Sequence, residues 1–211
     1  MQELSTVLIV TAQPTLWLRC QPLRQHGWEP VRGVDLQDLA RWKQSGRQLA
    51  ILDADLPQRP AWHEPVWGPY FQDVRVLVVS PGVSDEEGQK VLSQGACGYA
   101  SAEVDVEAMA RVLWSLQQGH IWMGRSLLQK LLQDIDQRLP PVPESSPWAA
   151  LLSVRETEVA LLASKGHSNA DIAKALSITE RTVRAHLSSV FEKLAVSDRL
   201  QLSLKVHGIK K

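Results

Sequence analysis

The chain has 211 residues, and its 23 Lys/Arg balance 23 Asp/Glu, so bulk charge alone draws it neither to nucleic acid nor to an acidic membrane surface. Hydrophobic residues make up 44%, enough for packed cores, and the length suits two small domains better than one large one. No apolar run reaches the length of a membrane span, and the N-terminus lacks a basic stretch followed by a long apolar one, so a cytoplasmic protein with no membrane partner is expected.

The zero net charge conceals an asymmetry. Residues 148–211 carry ten Lys/Arg against six Asp/Glu, and residues 1–147 carry 13 against 17. A basic C-terminal part beside an acidic N-terminal part suits one domain meeting phosphates and another avoiding them. Cys20 and Cys97 stand without metal-ligand spacing and read as inert thiols; no metal site is expected.

Over the first 120 residues, short apolar runs alternate with helical patterns. Strands are expected at Thr6–Val10, Leu49–Leu52, Arg75–Val79 and Cys97–Ala100, with a weaker one at Glu29–Val31. Helices are expected at Leu16–His26, Leu36–Ser45, Asp85–Gln94 and Val104–Gln118. Such alternation predicts an α/β domain, a doubly wound and mostly parallel five-stranded sheet of flavodoxin-like type. After Leu56 the segment is broken by Pro57, Pro60, Pro65 and Pro69, so it reads as loop with at most a short helix, Trp62 and Trp67 packing on the sheet.

Strand order and length in this region resemble the receiver domain of two-component response regulators. Asp53-Ala54-Asp55-Leu56-Pro57 is similar to its D-x-x-[ML]-P signature, with Asp53 at the phospho-acceptor position. Ser80 falls at the switch Ser/Thr, and Gly95-Ala96-Cys97-Gly98-Tyr99 at the GADGY segment, with Tyr99 as the switch aromatic. The resemblance also implies two acidic residues after the first strand, to hold Mg²⁺, and a lysine after the fifth. Those positions are Thr11, Ala12 and Ala102. A methyl group offers no oxygen to a hard cation, and charge arriving on Asp53 would find little to neutralise it. The receiver fold is therefore expected without receiver chemistry, and Asp53 is expected to be inactive.

Beyond Gly119, Leu127, Leu128, Leu131, Leu132, Ile135 and Leu139 mark an extra amphipathic helix. It is expected either to cover the receiver-like domain or to pair with the same helix of a second subunit. Pro140 to Pro147 reads as an extended linker. The expected domains are 1–122, receiver-like; 123–147, extra helix and linker; and 148–211, all-α.

In the last domain, Ser153-Val154-Arg155-Glu156 is a capping box opening a first helix. Two more helices follow, Asn169–Leu176 and, behind Thr179 as N-cap, a helix with its core stripe on Val183, Leu187, Val190 and Leu194. The opposite face of that helix carries Arg181, Arg184, Ala185 and Ser188, read as two cations, two small residues and no carboxylate. Cationic arms with short neighbours are what a helix entering the major groove of double-stranded DNA needs. The final stretch Leu200, Leu202, Leu204 and Val206 alternates with period two, a strand pattern by itself.

From Leu152 the segment resembles the LuxR/FixJ (NarL)-type helix-turn-helix domain. The matching landmarks are Arg155-Glu156, Glu158-Val159, Gly166, Ser168-Asn169, Ile172-Ala173, Leu176, Thr182-Val183, His186, Lys193-Leu194 and Val196. The resemblance implies four helices, the last one N-capped by Ser197 and supporting dimerisation. It puts Thr182, Arg184, Ala185 and Ser188 at groove-facing positions, and makes Arg181, Lys193 and Arg199 candidates for phosphates. Trp122-Met123-Gly124-Arg125 resembles the W-[FLM]-[TS]-R motif with which some biofilm regulators of this family bind cyclic di-GMP. It departs at Gly124, which has no hydroxyl. The same residues also resemble a structural junction in which the Trp plugs the domain and the Arg caps a helix.

The reading that results is a dimeric, sequence-specific transcriptional regulator, controlled without phosphorylation, with no catalytic residues and no required cofactor. The alternatives are a cyclic di-GMP-responsive regulator using Trp122 and Arg125, and an adaptor bound to a regulatory protein with vestigial DNA binding.

Overall fold

The apolar runs of the first half become strands buried on both faces. β1 (Ser5–Val10), β2 (Trp28–Gly33), β3 (Leu49–Asp53), β4 (Arg75–Ser80) and β5 (Gly98–Ser101) form one parallel sheet in the order β2-β1-β3-β4-β5. The computed structural model describes residues 4–138 and 146–209, in two compact units divided between Gly124 and Arg125.

Helices α1 (Pro14–Cys20), α2 (Leu36–Gln44), α3 (Trp67–Phe71), α4 (Asp85–Ser93) and α5 (Val106–Gln117) complete the first unit. Asp35, Ser84 and Asp105 N-cap α2, α4 and α5, each accepting a backbone N–H two or three residues into the helix. The core joins Val7, Ile9, Ile51, Leu77 and Val79 of the sheet to Leu16, Leu23, Met109, Leu113 and Leu116.

The single helix expected over Leu16–His26 is two pieces. Pro22 has no N–H to continue the α-helical ladder, so the chain tightens into a 3-10 turn over Gln21–His26 and stops at Gly27, whose φ is +88°. The weak second strand proves to be six residues long; its Pro30 is tolerated because β2 is an edge. At the other edge, Trp122 pairs with Gly98: its N–H donates to the Cys97 carbonyl and its carbonyl accepts from Tyr99 N–H, both at 2.9 Å. A Cβ on Gly98 would lie 2.8 Å from Leu77 Cδ1 and 3.2 Å from the Trp122 carbonyl oxygen, so only glycine fits there.

The second unit holds α6 (Arg125–Arg138), α7 (Val154–Ser164), α8 (Asn169–Leu176), α9 (Glu180–Leu194) and α10 (Arg199–Val206). Its core is Val159, Ala160, Ala163, Ile172, Val183, Leu187, Val190, Leu194, Leu202 and Val206. The capping box at Ser153 forms as expected, and a second one joins Ser168 to Asp171. The period-two stretch is helical, because tertiary burial of Leu202, Ser203 and Val206 against α7 overrides the local pattern. Its N-cap is Asp198, which accepts from Gln201 N–H, and not Ser197.

The extra helix finds a partner that neither sequence expectation named. α6 packs against α10 in its own unit, with Leu127 and Leu132 buried. Gly166, at φ +84°, lies so close to α6 that a Cβ there would meet the Gln129 carbonyl oxygen at 2.8 Å. His207 beyond α10 comes within 3.8 Å of Asp136. The helix thus belongs with residues 148–209 and does not form a separate segment with the linker. Leu139 and the linker from Pro140 to Glu144 and Ser145 lie outside the described residues. Among the described residues no helix is long and apolar enough to cross a membrane.

Candidate nucleic-acid interface and the acceptor-like carboxylate

Asp53 ends β3 beside the end of β1, where the strand order reverses and where open α/β sheets usually place their ligands. Its side chain is already engaged. The Thr11 hydroxyl donates to Oδ2 at 2.6 Å, the Asp55 N–H donates to Oδ1 at 2.9 Å, and the residue is 1% exposed. Thr11 Oγ1 in turn accepts the Gln13 N–H at 2.9 Å, which fixes the hydroxyl in place. At Ala102, the backbone is used instead of a side chain: its carbonyl accepts from Arg19 of α1 at 2.6 Å.

Beside this carboxylate the structure closes a network the sequence did not announce. Glu87 of α4 accepts from the Tyr99 hydroxyl at 2.6 Å, from the Trp62 indole at 3.0 Å and from Ser80. The Tyr99 hydroxyl also accepts Ser84 N–H at 3.2 Å, tying β5 to the loop before α4. Arg59 lies 3.8 Å from Glu87 and stacks over Trp62 at 4.3 Å, and its guanidinium caps the Ala54 carbonyl. Burial raises the Glu87 pKa, but the three hydrogen bonds and Arg59 outweigh it and the net shift is downward. Burial and the same carboxylate push Tyr99 up. Trp62 and Trp67 are buried, their rings 4.5 Å apart. Glu87 and Arg59 gave no signal, since a Glu in an acidic first helical turn after Asp85-Glu86 and an Arg between prolines look like surface residues.

In the second unit, α9 is presented by three local devices. Ser177 takes the left-handed conformation that ends α8, Thr179 caps α9 by accepting Thr182 N–H, and Arg155 of α7 donates to the Leu176 carbonyl. The buried stripe of α9 leaves Arg181, Arg184, Ala185 and Ser188 exposed on the other side. Arg181 has no hydrogen bond or ion pair among the described residues. Arg184 is different. The sequence expectation of a face without a carboxylate fails, because Glu180, one helical turn back, reaches the Arg184 guanidinium at 3.4 Å. The Thr182 hydroxyl is half-buried against Thr179 Oγ1 at 2.9 Å, and the Ser188 hydroxyl donates to the Arg184 carbonyl at 3.0 Å.

Two of the residues expected to meet phosphates are used inside the domain. Lys193 contacts both oxygens of Glu156 at 2.7 Å, and Ser189 and Ser153 N–H complete the carboxylate's shell. Lys193, then Ser189 and Ser153, hold the Glu156 carboxyl far below the usual range. Arg199 donates to the His167 carbonyl at 2.9 Å and to Asn169 Oδ1 at 3.0 Å, fastening α10 to the turn before α8. Burial, then the neighbouring charge of Arg125, lowers its pKa. Sequence spacing put these cations on or near α9 but could not count their internal partners. Trp122 belongs to the first unit, is 39% exposed and pairs with β5 through its main chain. Arg125 opens α6 in the second unit and is exposed.

A doubly wound domain with a carboxylate at the switch point, joined to a helix-turn-helix domain, is the architecture of a receiver coupled to an effector. Residues 150–206 match the family of bacterial regulatory proteins, luxR family. The transcriptional regulatory protein DegU of Brevibacillus brevis is 31% identical over 144 residues, covering 62% of this chain and 60% of that protein. The response regulator protein VraR of Staphylococcus aureus is 29% identical over 128 residues, covering 61% and 58%. The matched region thus spans about three-fifths of the length of these curated relatives. Among solved structures, the Salmonella typhimurium RcsB response regulator matches with a TM-score of 0.50 at 19% identity, covering 98% of each chain. A two-component response regulator of the LuxR family from Aurantimonas sp. SI85-9A1 gives 0.52 at 16% identity, covering 62% of this chain and 97% of that one. At such identities these likenesses speak for the fold alone. Residues 150–206 thus carry a regulatory domain of the luxR family, and the matched region as a whole is similar to response regulators of the LuxR/FixJ (NarL) type.

Proposed function

We propose that this protein is a sequence-specific transcriptional regulator that binds double-stranded DNA as a dimer through α9, and that its receiver-like domain works without phosphoryl transfer to Asp53. The observation that carries the DNA-binding half is the capped, exposed face of α9, where Arg181 and Arg184 stand beside Ala185 and Ser188. Its geometry suits a recognition helix: the cations reach phosphates and guanine edges, and the small residues allow close approach. A dimer would supply the two-fold symmetry that paired half-sites require.

The second half rests on the Thr11 hydroxyl at Asp53. Mg²⁺ wants near-octahedral oxygen ligands at about 2.1 Å. The residues present do not complete such a set: the Thr11 hydroxyl is spent on Asp53, the Ala12 side chain has no donor atom, and Asp53 is 1% exposed with each oxygen accepting a hydrogen bond. Phosphoryl transfer relies almost wholly on such positioning and charge neutralisation.

The test is selection from a random duplex library by the full-length protein, followed by incubation with acetyl phosphate and Mg²⁺. A preferred sequence, bound equally before and after that incubation, is the expected result. Absence of any sequence preference would overturn the DNA-binding half and leave a protein-interaction adaptor. Labelling that disappears in Asp53→Ala would overturn the other.

A further inference from the structure

Two arginines on one exposed helix face are usually treated as equivalent, but here only one of them has a carboxylate. Arg181 is unpartnered among the described residues, whereas Arg184, 68% exposed at its side chain, faces Glu180, 50% exposed, at 3.4 Å. The other polar side chains of the face are taken up locally, Thr182 by Thr179 and Ser188 by the Arg184 carbonyl. The carboxylate is therefore free to act on Arg184 and on whatever the helix meets.

As a stabilising device, such an exposed pair one helical turn apart is worth little. In a groove the balance changes. A carboxylate brought among phosphates is repelled, and it loses water as the dielectric falls. Its place is tolerable only if it keeps a cation beside it or accepts from a base edge. A guanidinium has five N–H donors, of which guanine O6 and N7 use two, so the Glu180 contact can persist while Arg184 reads the base. Arg181, with no such tether, suits a phosphate. Phosphate contacts position a protein and base contacts specify the sequence.

Resting on the DNA-binding role proposed above, we infer that Glu180 is a specificity-determining residue, a positioning group that holds Arg184 to one base pair and weakens binding to all other DNA. Glu180→Gln keeps the side-chain shape and removes the charge. The experiment compares wild type, Glu180→Gln, Arg184→Ala and the double variant on the selected duplex, on single-base-pair variants of it and on an unrelated duplex, with thermal unfolding as a control for folding.

In Glu180→Gln, affinity for the unrelated duplex should rise about threefold, roughly one phosphate contact's worth of salt-dependent binding. Discrimination should collapse from roughly tenfold or more toward unity at one base pair, the same one that Arg184→Ala relaxes. In the double variant, loss of Glu180 should add no further relaxation there. Unchanged discrimination at every position in Glu180→Gln, while Arg184→Ala relaxes one, would overturn the inference and leave the DNA-binding role standing. Wild-type protein that binds all duplexes alike would overturn both. Neither result depends on stability, which a merely structural Glu180 would alter instead.

Discussion

The two units treat their polar side chains in opposite ways. In the first, the charged groups at the C-terminal edge of the sheet are turned inward: Asp53 is held by Thr11 and Asp55 N–H, and Glu87 by Tyr99, Trp62, Ser80 and Arg59. In the second, internal partners take up Glu156, Lys193 and Arg199, while Arg181 and Arg184 remain on the surface of α9. Buried polar groups are costly unless paired, and the first unit pairs them internally, whereas the two arginines of α9 stay exposed to solvent, Arg184 beside Glu180. One unit spends these polar groups on one another, and the other leaves Arg181 and Arg184 exposed on α9.

Glu87→Ala should break the sealed side hardest. It leaves Tyr99, Trp62 and Ser80 without their acceptor, and about 3 kcal/mol of first-unit stability should be lost. Urea unfolding followed by tryptophan fluorescence measures it. Thr11→Ala tests the Asp53 contact alone and should cost about 1–3 kcal/mol in the same assay. A loss near zero would mean that water replaces the hydroxyl and that the edge is open after all. On the presenting side, Arg184→Ala should weaken binding to the selected duplex by about 1–3 kcal/mol and relax base preference, read by titration against single-base variants. Arg181→Ala should weaken all duplexes alike and lower the slope of log affinity against log salt by about one.

The smallest effect is on pH dependence. Glu156 has its folded pKa depressed, so its contribution to stability is fully present above its unfolded value, about 4.3, and is lost as pH falls toward the folded one. Thermal unfolding of the second unit should therefore decline below roughly pH 4. Glu156→Gln should flatten that decline, and an equally steep one in the variant would assign the acid sensitivity elsewhere.

Much of this was legible in the residues. Alternating runs such as Thr6–Val10 and Arg75–Val79 marked the parallel sheet, because strands buried on both faces must be apolar throughout. The capping box at Ser153, the Thr179 N-cap and the stripe from Val183 to Leu194 located α7 and α9, because they are local and periodic signals. The substitutions at Thr11, Ala12 and Ala102 told what was missing around Asp53, but not that the Thr11 hydroxyl would turn onto the carboxylate.

Sequence by itself therefore determined the order of elements, the two-domain plan and the identity of the exposed face of α9. Period, caps and breakers act over a few residues, and the chain carries them openly. Tertiary structure alone decided that α6 lies on α10, that residues 199–206 are helix despite a strand-like alternation, that Lys193 and Arg199 serve the fold, and that Glu180 stands against Arg184. Those outcomes depend on which groups far apart in sequence meet, such as Asp136 with His207 and Glu156 with Lys193, or on which rotamer closes one helical turn. Such meetings are settled by burial and hydrogen-bond satisfaction, which no local pattern records.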